Sequence, residues 1–324
     1  MADVTPPAGA RAFLDALGWR DATITPLAGD ASFRRYFRVT ASTRRAILMD
    51  APPPHEDPRP FLKVAHWLHD RGFGAPEIYG EALDQGLVLL EDFGDDRMRE
   101  AIDAGAPAEP LYATAVEMLV RLHREPAGPF AHHDLALLTQ GTQTFAQWYC
   151  GTLGIDIAGY TEAWAQVLPG ALPEVPVTTL RDYHAENLML LPGGRLGLLD
   201  FQDATAGHPG YDLVSLLQDA RRDVEPEIEA AMLDLYCRET GGAEAFRTAY
   251  HILGAQRNTR IIGVFTRLWK RDGKPRYPAL CPRVWRYLER DLAHPALAPV
   301  KVWFDAHLPA RLRGDPMLLS AQAA

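Results

Sequence analysis

One short stretch of this 324-residue chain gathers the side chains best suited to chemistry. Leu180-Arg181-Asp182-Tyr183-His184-Ala185-Glu186-Asn187 is followed, after strand-like residues, by Leu198-Leu199-Asp200-Phe201. An Asp and an Asn five apart in a turn can point into one cavity, and a second Asp thirteen residues beyond the Asn, at a strand end, can face them. Phosphoryl transfer from a nucleotide needs such a trio. One carboxylate positions and deprotonates the acceptor hydroxyl, while an amide oxygen and another carboxylate hold magnesium on the phosphates. Magnesium asks for hard oxygen ligands, of which the protein need supply only one or two. Taken singly, each residue is equally a turn former or a solvated strand end. Only the spacing, the adjoining apolar strand and a sheet unit upstream together favour phosphoryl transfer.

The elements that must position these groups fall into two parts. After Pro7, Phe13, Leu14 and Leu17 predict a short helix. Residues 24–27, 36–40 and 45–49 have strand composition, the first two joined by the small-residue turn Ala28-Gly29-Asp30-Ala31-Ser32. The proline-rich 51–60 segment ends this block as a candidate mobile loop. An amphipathic helix over 61–68 and strands near 77–79 and 86–90 complete a five-strand, one-helix unit. From about residue 97 the pattern is helical, with helices over 111–123, 144–153 and 163–168, apart from the island 178–202 with its strand-like 196–199. The expectation is an α+β chain with residues 1–92 as a small antiparallel sheet lobe and 93–324 as a larger helical lobe.

Composition narrows the classes. Apolar residues make up 47% and charged residues 23%, as in ordinary globular proteins. No apolar run approaches the ~18 residues of a bilayer span, and Met1 to Ala10 lacks the basic and apolar regions of an export signal. Cys150, Cys237 and Cys281 are isolated thiols, which fits a reducing cytoplasm. With 33 basic against 42 acidic side chains, the net charge of −9 disfavours a nucleic-acid partner. No GxxxxGK[ST] occurs, which excludes a P-loop mechanism. His132-His133-Asp134 reads as a loop or cap, because adjacent histidines do not share a helix face.

The 180–187 and 198–201 runs resemble the catalytic and metal-binding segments of the aminoglycoside phosphotransferase family, relatives of the protein kinases, and the resemblance covers nearly the whole chain. It implies a protein-kinase-like two-lobed fold, with Asp182 as catalytic base and Asn187 and Asp200 as magnesium ligands. Residues 29–38 stand where the family has its nucleotide-covering turn, and 89–93 where it has the hinge. A closer similarity is to bacterial cell-wall sugar kinases that phosphorylate N-acetylmuramate and N-acetylglucosamine at the anomeric hydroxyl. It is carried by residues 29–38, 49–53, His208-Pro209-Gly210-Tyr211-Asp212-Leu213, 218–223 and Gln256-Arg257-Asn258-Thr259-Arg260. The implied ligands are ATP, magnesium and a small amino sugar, with no nucleic acid, membrane or obligate protein partner. Rival readings are another small-alcohol kinase (aminoglycoside, choline or homoserine type) or a nucleotide-binding pseudokinase scaffold.

Two departures stand out. The family's usual His two before the catalytic Asp is Leu180, and the strand-three lysine would fall near Met49. Arg34, Arg35 or Arg38 could instead neutralise phosphates through bidentate guanidinium forks, or lie on a solvated strand face; Lys63 is a further candidate. Backbone N–H groups around Ser32 could cap phosphates. Leu90, Glu91 and Phe93 would border the adenine, though the same run reads equally as a buried strand ending in a turn. On the acceptor side the candidates are His184, Asp203, Arg221, Arg257, Asn258 and Arg260, with Asn258 meeting the N-acetyl amide. Glu186 reads as a local cap, and Asp212 as a brace whose carboxylate accepts backbone N–H bonds from the catalytic turn.

Overall fold

The computed structural model describes residues 5–27, 34–242 and 244–323. The chain divides into two compact units, Met1–Ala106 with Glu186–Asp203, and Pro107–Ala185 with Ala204–Ala324. The first opens with α1 (Ala10–Ala16), β1 (Thr23–Pro26), β2 (Arg35–Ala41), β3 (Arg44–Asp50), α2 (Arg59–His69), β4 (Ile78–Ala82), β5 (Leu87–Glu91) and α3 (Met98–Asp103). Its five strands form one antiparallel sheet in the order β1-β2-β3-β5-β4. Strand alternation sends Phe37, Val39, Ala46, Leu48, Leu87 and Leu89 to one face, where Leu14 of α1 and Trp19 complete a buried core. The register pairs Tyr36 with Met49 and Arg38 with Ile47 on the other face, and Val88 and Leu90 continue the two rows.

The second unit begins with α4 (Ala108–Arg124), α5 (Leu135–Phe145), α6 (Gly151–Leu153), α7 (Tyr160–Val167) and β6 (Val177–Thr179). The chain then returns to the first unit for the hairpin β7 (Leu188–Leu191) and β8 (Arg195–Leu198). It re-enters the second unit through β9 (Thr205–Gly207), α8 (Gly210–Leu217), α9 (Pro226–Thr240), α10 (Glu244–Lys270), α11 (Cys281–Leu292), α12 (Ala298–His307) and α13 (Pro316–Ala323). The α+β class is as expected. The boundary is not at residue 92, because long-range bonds tie the hairpin to the sheet unit. Leu190 N–H donates to the Asp96 carbonyl at 2.7 Å and Leu198 N–H to the Gly74 carbonyl at 2.8 Å. Phe201 stacks on Phe61 of α2 with ring centroids 5.0 Å apart.

Strands β6, β7 and β9 are three or four residues long, too short for an alternation pattern to reveal. Helix α5 starts nine residues before the expected 144, at Leu135, where the Asp134 side chain accepts the Leu137 N–H at 3.0 Å. The helical core is aromatic, with Phe145 packed against Tyr149, Tyr160, Trp285 and Phe304. Helices α5 and α10 approach closely here: a Cβ on Gly263 would sit 2.6 Å from backbone atoms of Thr144 and Phe145. Backbone cannot step aside as a flexible side chain can. Gly263→Ala is therefore expected to destabilise the chain by about 1–3 kcal/mol through overpacking, despite alanine's better helix propensity. A thermal or urea melt checks this, and an unchanged midpoint would contradict it.

Candidate active site

The turn bearing Asp182 is built by three restraints within the second unit. Strand β6 leads into it, paired antiparallel with β9, and the hydroxyls of Thr179 and Thr205 lie 2.8 Å apart. The Tyr183 hydroxyl donates to the Ala115 carbonyl on α4 at 2.8 Å. From the first turn of α8, Asp212 accepts Leu180 N–H at 2.6 Å and Arg181 N–H at 2.7 Å, one with each carboxylate oxygen. Arg181 adopts φ 69°, a left-handed conformation that a non-glycine residue holds only when its surroundings impose it. Those two bonds are the restraint. Burial pushes the Asp212 carboxyl up to about 7, against the pull of the two N–H donors. Leu180 is itself buried, filling its position by packing rather than by an imidazole.

Asp182 is surrounded by positive charge. Burial alone would raise its carboxyl, but His184, Arg257, Arg260 and Arg181 outweigh it and hold the group below the ordinary carboxylate range. His184 is buried, and desolvation keeps its imidazole low, so at neutral pH the lasting field comes from the arginines. An Arg221 N–H lies 3.2 Å from His184 Nε2. A guanidinium can only donate, so Nε2 accepts and Nδ1 carries the proton. Arg257 donates to Ser215 Oγ at 2.8 Å, while its buried Nη1 has no hydrogen-bond partner among the described residues. The structure thus gathers His184, Arg221, Arg257 and Arg260 with Asp182.

Asn258 does not join them. One residue along α10 it points elsewhere, fully buried and donating to Gln218 Oε1 at 2.6 Å, beside Asp291. Its amide belongs to an interior network with Glu229, Tyr250 and His251, which corrects the expectation that it meets an N-acetyl group. Asp203 lies exposed in the turn that ends the first unit's return segment. Asp219 was overlooked in the sequence. It is buried, its Oδ1 accepts Arg221 N–H at 2.8 Å, and its Oδ2 has no hydrogen-bond partner among the described residues. Its place in the 218–223 run, beside the doublet Arg221-Arg222, is the signal that could have flagged it.

In the first unit, Asn187 ends a turn of 3₁₀ helix before β7, and Asp200 follows β8. Leu199 N–H donates to the Asn187 carbonyl at 2.9 Å, so both residues lie at the same end of the hairpin. Asp200 has φ 57° and accepts Gln202 Nε2 at 2.9 Å, while the buried Phe201 anchors it against α2. One amide oxygen and one carboxylate form a donor set that magnesium accepts, since it keeps waters and phosphate oxygens for its other positions. Among the described residues no group of three His, Cys, Asp or Glu offers a fuller cage. Glu186 pairs with Arg99, 87 residues away in the chain.

The nucleotide-side candidates sort by their partners. Arg35 is committed to the buried Asp50, with Nε and Nη2 at 2.8 and 2.6 Å from Oδ2, which corrects its expected phosphate role. Arg38 is likewise held by Asp92 and Asp95. Arg34 lies beside Glu56 and Tyr36 instead, and Tyr36 in turn feels the charge of Asp200. Ser32 lies outside the described residues. Lys63 is exposed. Leu90 is buried, and Glu91 N–H is already bonded to the Glu77 carbonyl at 2.8 Å, so that donor is spent in the sheet. Phe93 lies over β8, where a Cβ on Gly197 would meet its ring at 2.8 Å.

Removing Asp212 should separate geometry from charge. Asp212→Ala leaves two buried N–H donors without an acceptor, at about 1–3 kcal/mol each, and releases Arg181 from its φ. The expected result is a lowered melting temperature and a large fall in kcat, with nucleotide affinity by calorimetry little changed. Wild-type kcat in this variant would show that the turn does not depend on the brace.

The chain matches the model of the phosphotransferase enzyme family over residues 23–247. It is 38% identical to the N-acetylmuramate/N-acetylglucosamine kinase of Caulobacter vibrioides, the match covering 93% of this chain and 96% of that one. The protein of the same name in Pseudomonas aeruginosa is also 38% identical, over 87% and 88% of the two chains. Among solved structures, a choline/ethanolamine kinase family protein from Mesorhizobium loti superposes with a TM-score of 0.64 at 17% identity, covering 90% of this chain and 98% of that one. An ADP-bound aminoglycoside phosphotransferase gives 0.60 at 15% identity, over 86% and 97%. These likenesses identify the fold as protein-kinase-like, and together with the family match they establish that the chain belongs to the phosphotransferase enzyme family.

Proposed function

We propose that this chain is an ATP-dependent kinase that phosphorylates the anomeric hydroxyl of N-acetylmuramate and N-acetylglucosamine in cytoplasmic cell-wall sugar recycling. Asp182 is the base. It accepts the hydroxyl proton as the oxygen attacks the γ-phosphorus and ADP departs. An anomeric hydroxyl is more acidic than an ordinary alcohol, so a carboxylate of low basicity suffices. Asn187 and Asp200 would hold magnesium, which supplies charge neutralisation at the phosphates when bound. Arg34, beside Tyr36 and Glu56 and on the same unit as Asp200, is our candidate to serve in place of the strand-three lysine. His184, Arg221, Arg257 and Arg260 line the acceptor side, and Asp219 is suited to accept from a sugar hydroxyl. No helix among the described residues is long and apolar enough to cross a membrane.

The observation that carries this reading is the arginine field around Asp182. Amine-bearing acceptors such as aminoglycosides or choline would be repelled by it, whereas a neutral or acidic sugar is not. The family resemblance of the retained Asp182, Asn187 and Asp200 speaks against a pseudokinase. Purified protein with Mg·ATP and separate acceptors is expected to give a sugar 1-phosphate, seen by phosphorus NMR, from N-acetylated sugars alone. ADP formed with aminoglycosides instead would overturn the acceptor class. Asp182→Ala should lower kcat by about 10²–10⁴-fold, and near-wild-type turnover would remove its role.

The pH dependence follows from the sign of the Asp182 shift. A base whose pKa is depressed stays ionised down through the usual carboxylate range, so the acid limb of kcat/KM that reports Asp182 should lie below the ordinary aspartate value, separate from any loss nearer neutral pH as the bracing Asp212 takes up a proton. Arg257→Gln removes one stabilising charge and is expected to move that acid limb to higher pH. A limb that stays in place would show that Arg257 does not act on Asp182.

A further inference from the structure

Between α5 and α10, next to the Asp182 turn, lies a cavity of about 200 Å³ that the transfer step does not use. Three guanidinium groups line it: Arg181 from the turn, and Arg260 and Arg267 from α10. The polar side chains of His133, Gln140 and Thr144 border it, and no lining residue carries a carboxylate. The Nε atoms of Arg181 and Arg267 are buried with no hydrogen-bond partner among the described residues. Desolvation and the neighbouring Arg271 and Arg260 pull the Arg267 guanidinium down, and Asp272 only partly offsets them. On the opposite wall, burial together with Arg181 and Arg260 pushes His133 down to about 3, which Asp134 only partly opposes, so it adds no charge but can still hydrogen-bond.

The carboxylates that balance these cations, Asp182 beside Arg181 and Arg260 and Asp272 beside Arg267, lie outside the lining, and cations held partly dry with no counter-charge inside the cavity itself are costly. Such an arrangement is completed by an anion that several N–H forks can share. The space suits a short acidic side-arm, and Arg181 links it directly to the catalytic residue. We infer that this pocket receives the carboxylate of an acidic acceptor sugar, and that Arg267, with Arg260 and Arg181, sets the preference for N-acetylmuramate over N-acetylglucosamine. The inference rests on the sugar-kinase reading above. Of those two sugars only N-acetylmuramate carries a lactyl carboxylate, so the pocket would contribute to binding one and not the other.

The test is Arg267→Gln in the full chain, with steady-state kinetics on both sugars. Losing one charge-assisted contact should raise KM for N-acetylmuramate by about 10- to 100-fold, with kcat nearly unchanged. KM for N-acetylglucosamine should stay within about twofold, and Arg267→Lys should recover part of the difference. D-lactate should compete with N-acetylmuramate but not with N-acetylglucosamine in the unaltered chain, a measurement that does not depend on any variant folding. Equal shifts for both sugars, or none, would overturn the inference. So would weakened inhibition by both sugar 1-phosphates at unchanged KM, which would assign the pocket to a phosphate. If the unaltered chain phosphorylates neither sugar, the acceptor reading has failed, and the pocket inference fails with it.

Discussion

The active-site turn depends on one buried carboxylate that never needs to touch a substrate. Asp212 binds two consecutive backbone N–H groups and fixes Arg181 in a left-handed conformation, and the next residue is Asp182, the proposed base. A carboxylate suits this task because it offers two acceptor atoms and no donor. An amide would turn a donor toward one N–H, and a hydroxyl could not span both. Desolvation opposes the arrangement, as the raised carboxyl of Asp212 records, and the two backbone bonds offset that cost.

Asp182 itself is kept ionised by its neighbours. Arg257 and Arg260 sit three apart on α10, so one helix face presents both, and Arg181 adds a third charge from the turn. His184 is neutral and oriented by Arg221. The same charges that hold Asp182 below its ordinary range would, in the proposed function, also favour neutral or anionic acceptors, so that one electrostatic arrangement would serve both reactivity and selection. Further along α10, Arg267 extends the positive stripe into a cavity no carboxylate lines.

Several side chains attractive in the sequence have other duties. Arg35 and Arg38 are spent on Asp50, Asp92 and Asp95, because adjacent strands and the loop after β5 bring those acids to them. Asn258 differs from Arg257 by about 100° around a helix, and that rotation sends it into a buried network. Asp219 went the other way. Nothing in its spacing distinguishes it, yet burial leaves one of its oxygens without a hydrogen-bond partner among the described residues.

The sheet unit and the helical remainder were legible in the chain itself, and so was the proposal of Asp182, Asn187 and Asp200 as a site. Alternation, helical periodicity and turn chemistry are local, and a five-residue spacing survives being read on its own. The bracing role of Asp212 was legible too, as an acidic residue at a helix start. What remained hidden depends on distance in space. The hairpin 188–198 sits next to helical sequence but hydrogen-bonds with Gly74 and Asp96, and no local pattern encodes that return. Which arginine is paired with an acid and which faces a cavity is decided when strands and helices far apart in the chain are packed together. A charge has the same letter in both situations, and only its neighbours in the folded molecule determine whether it is satisfied or left to bind something else.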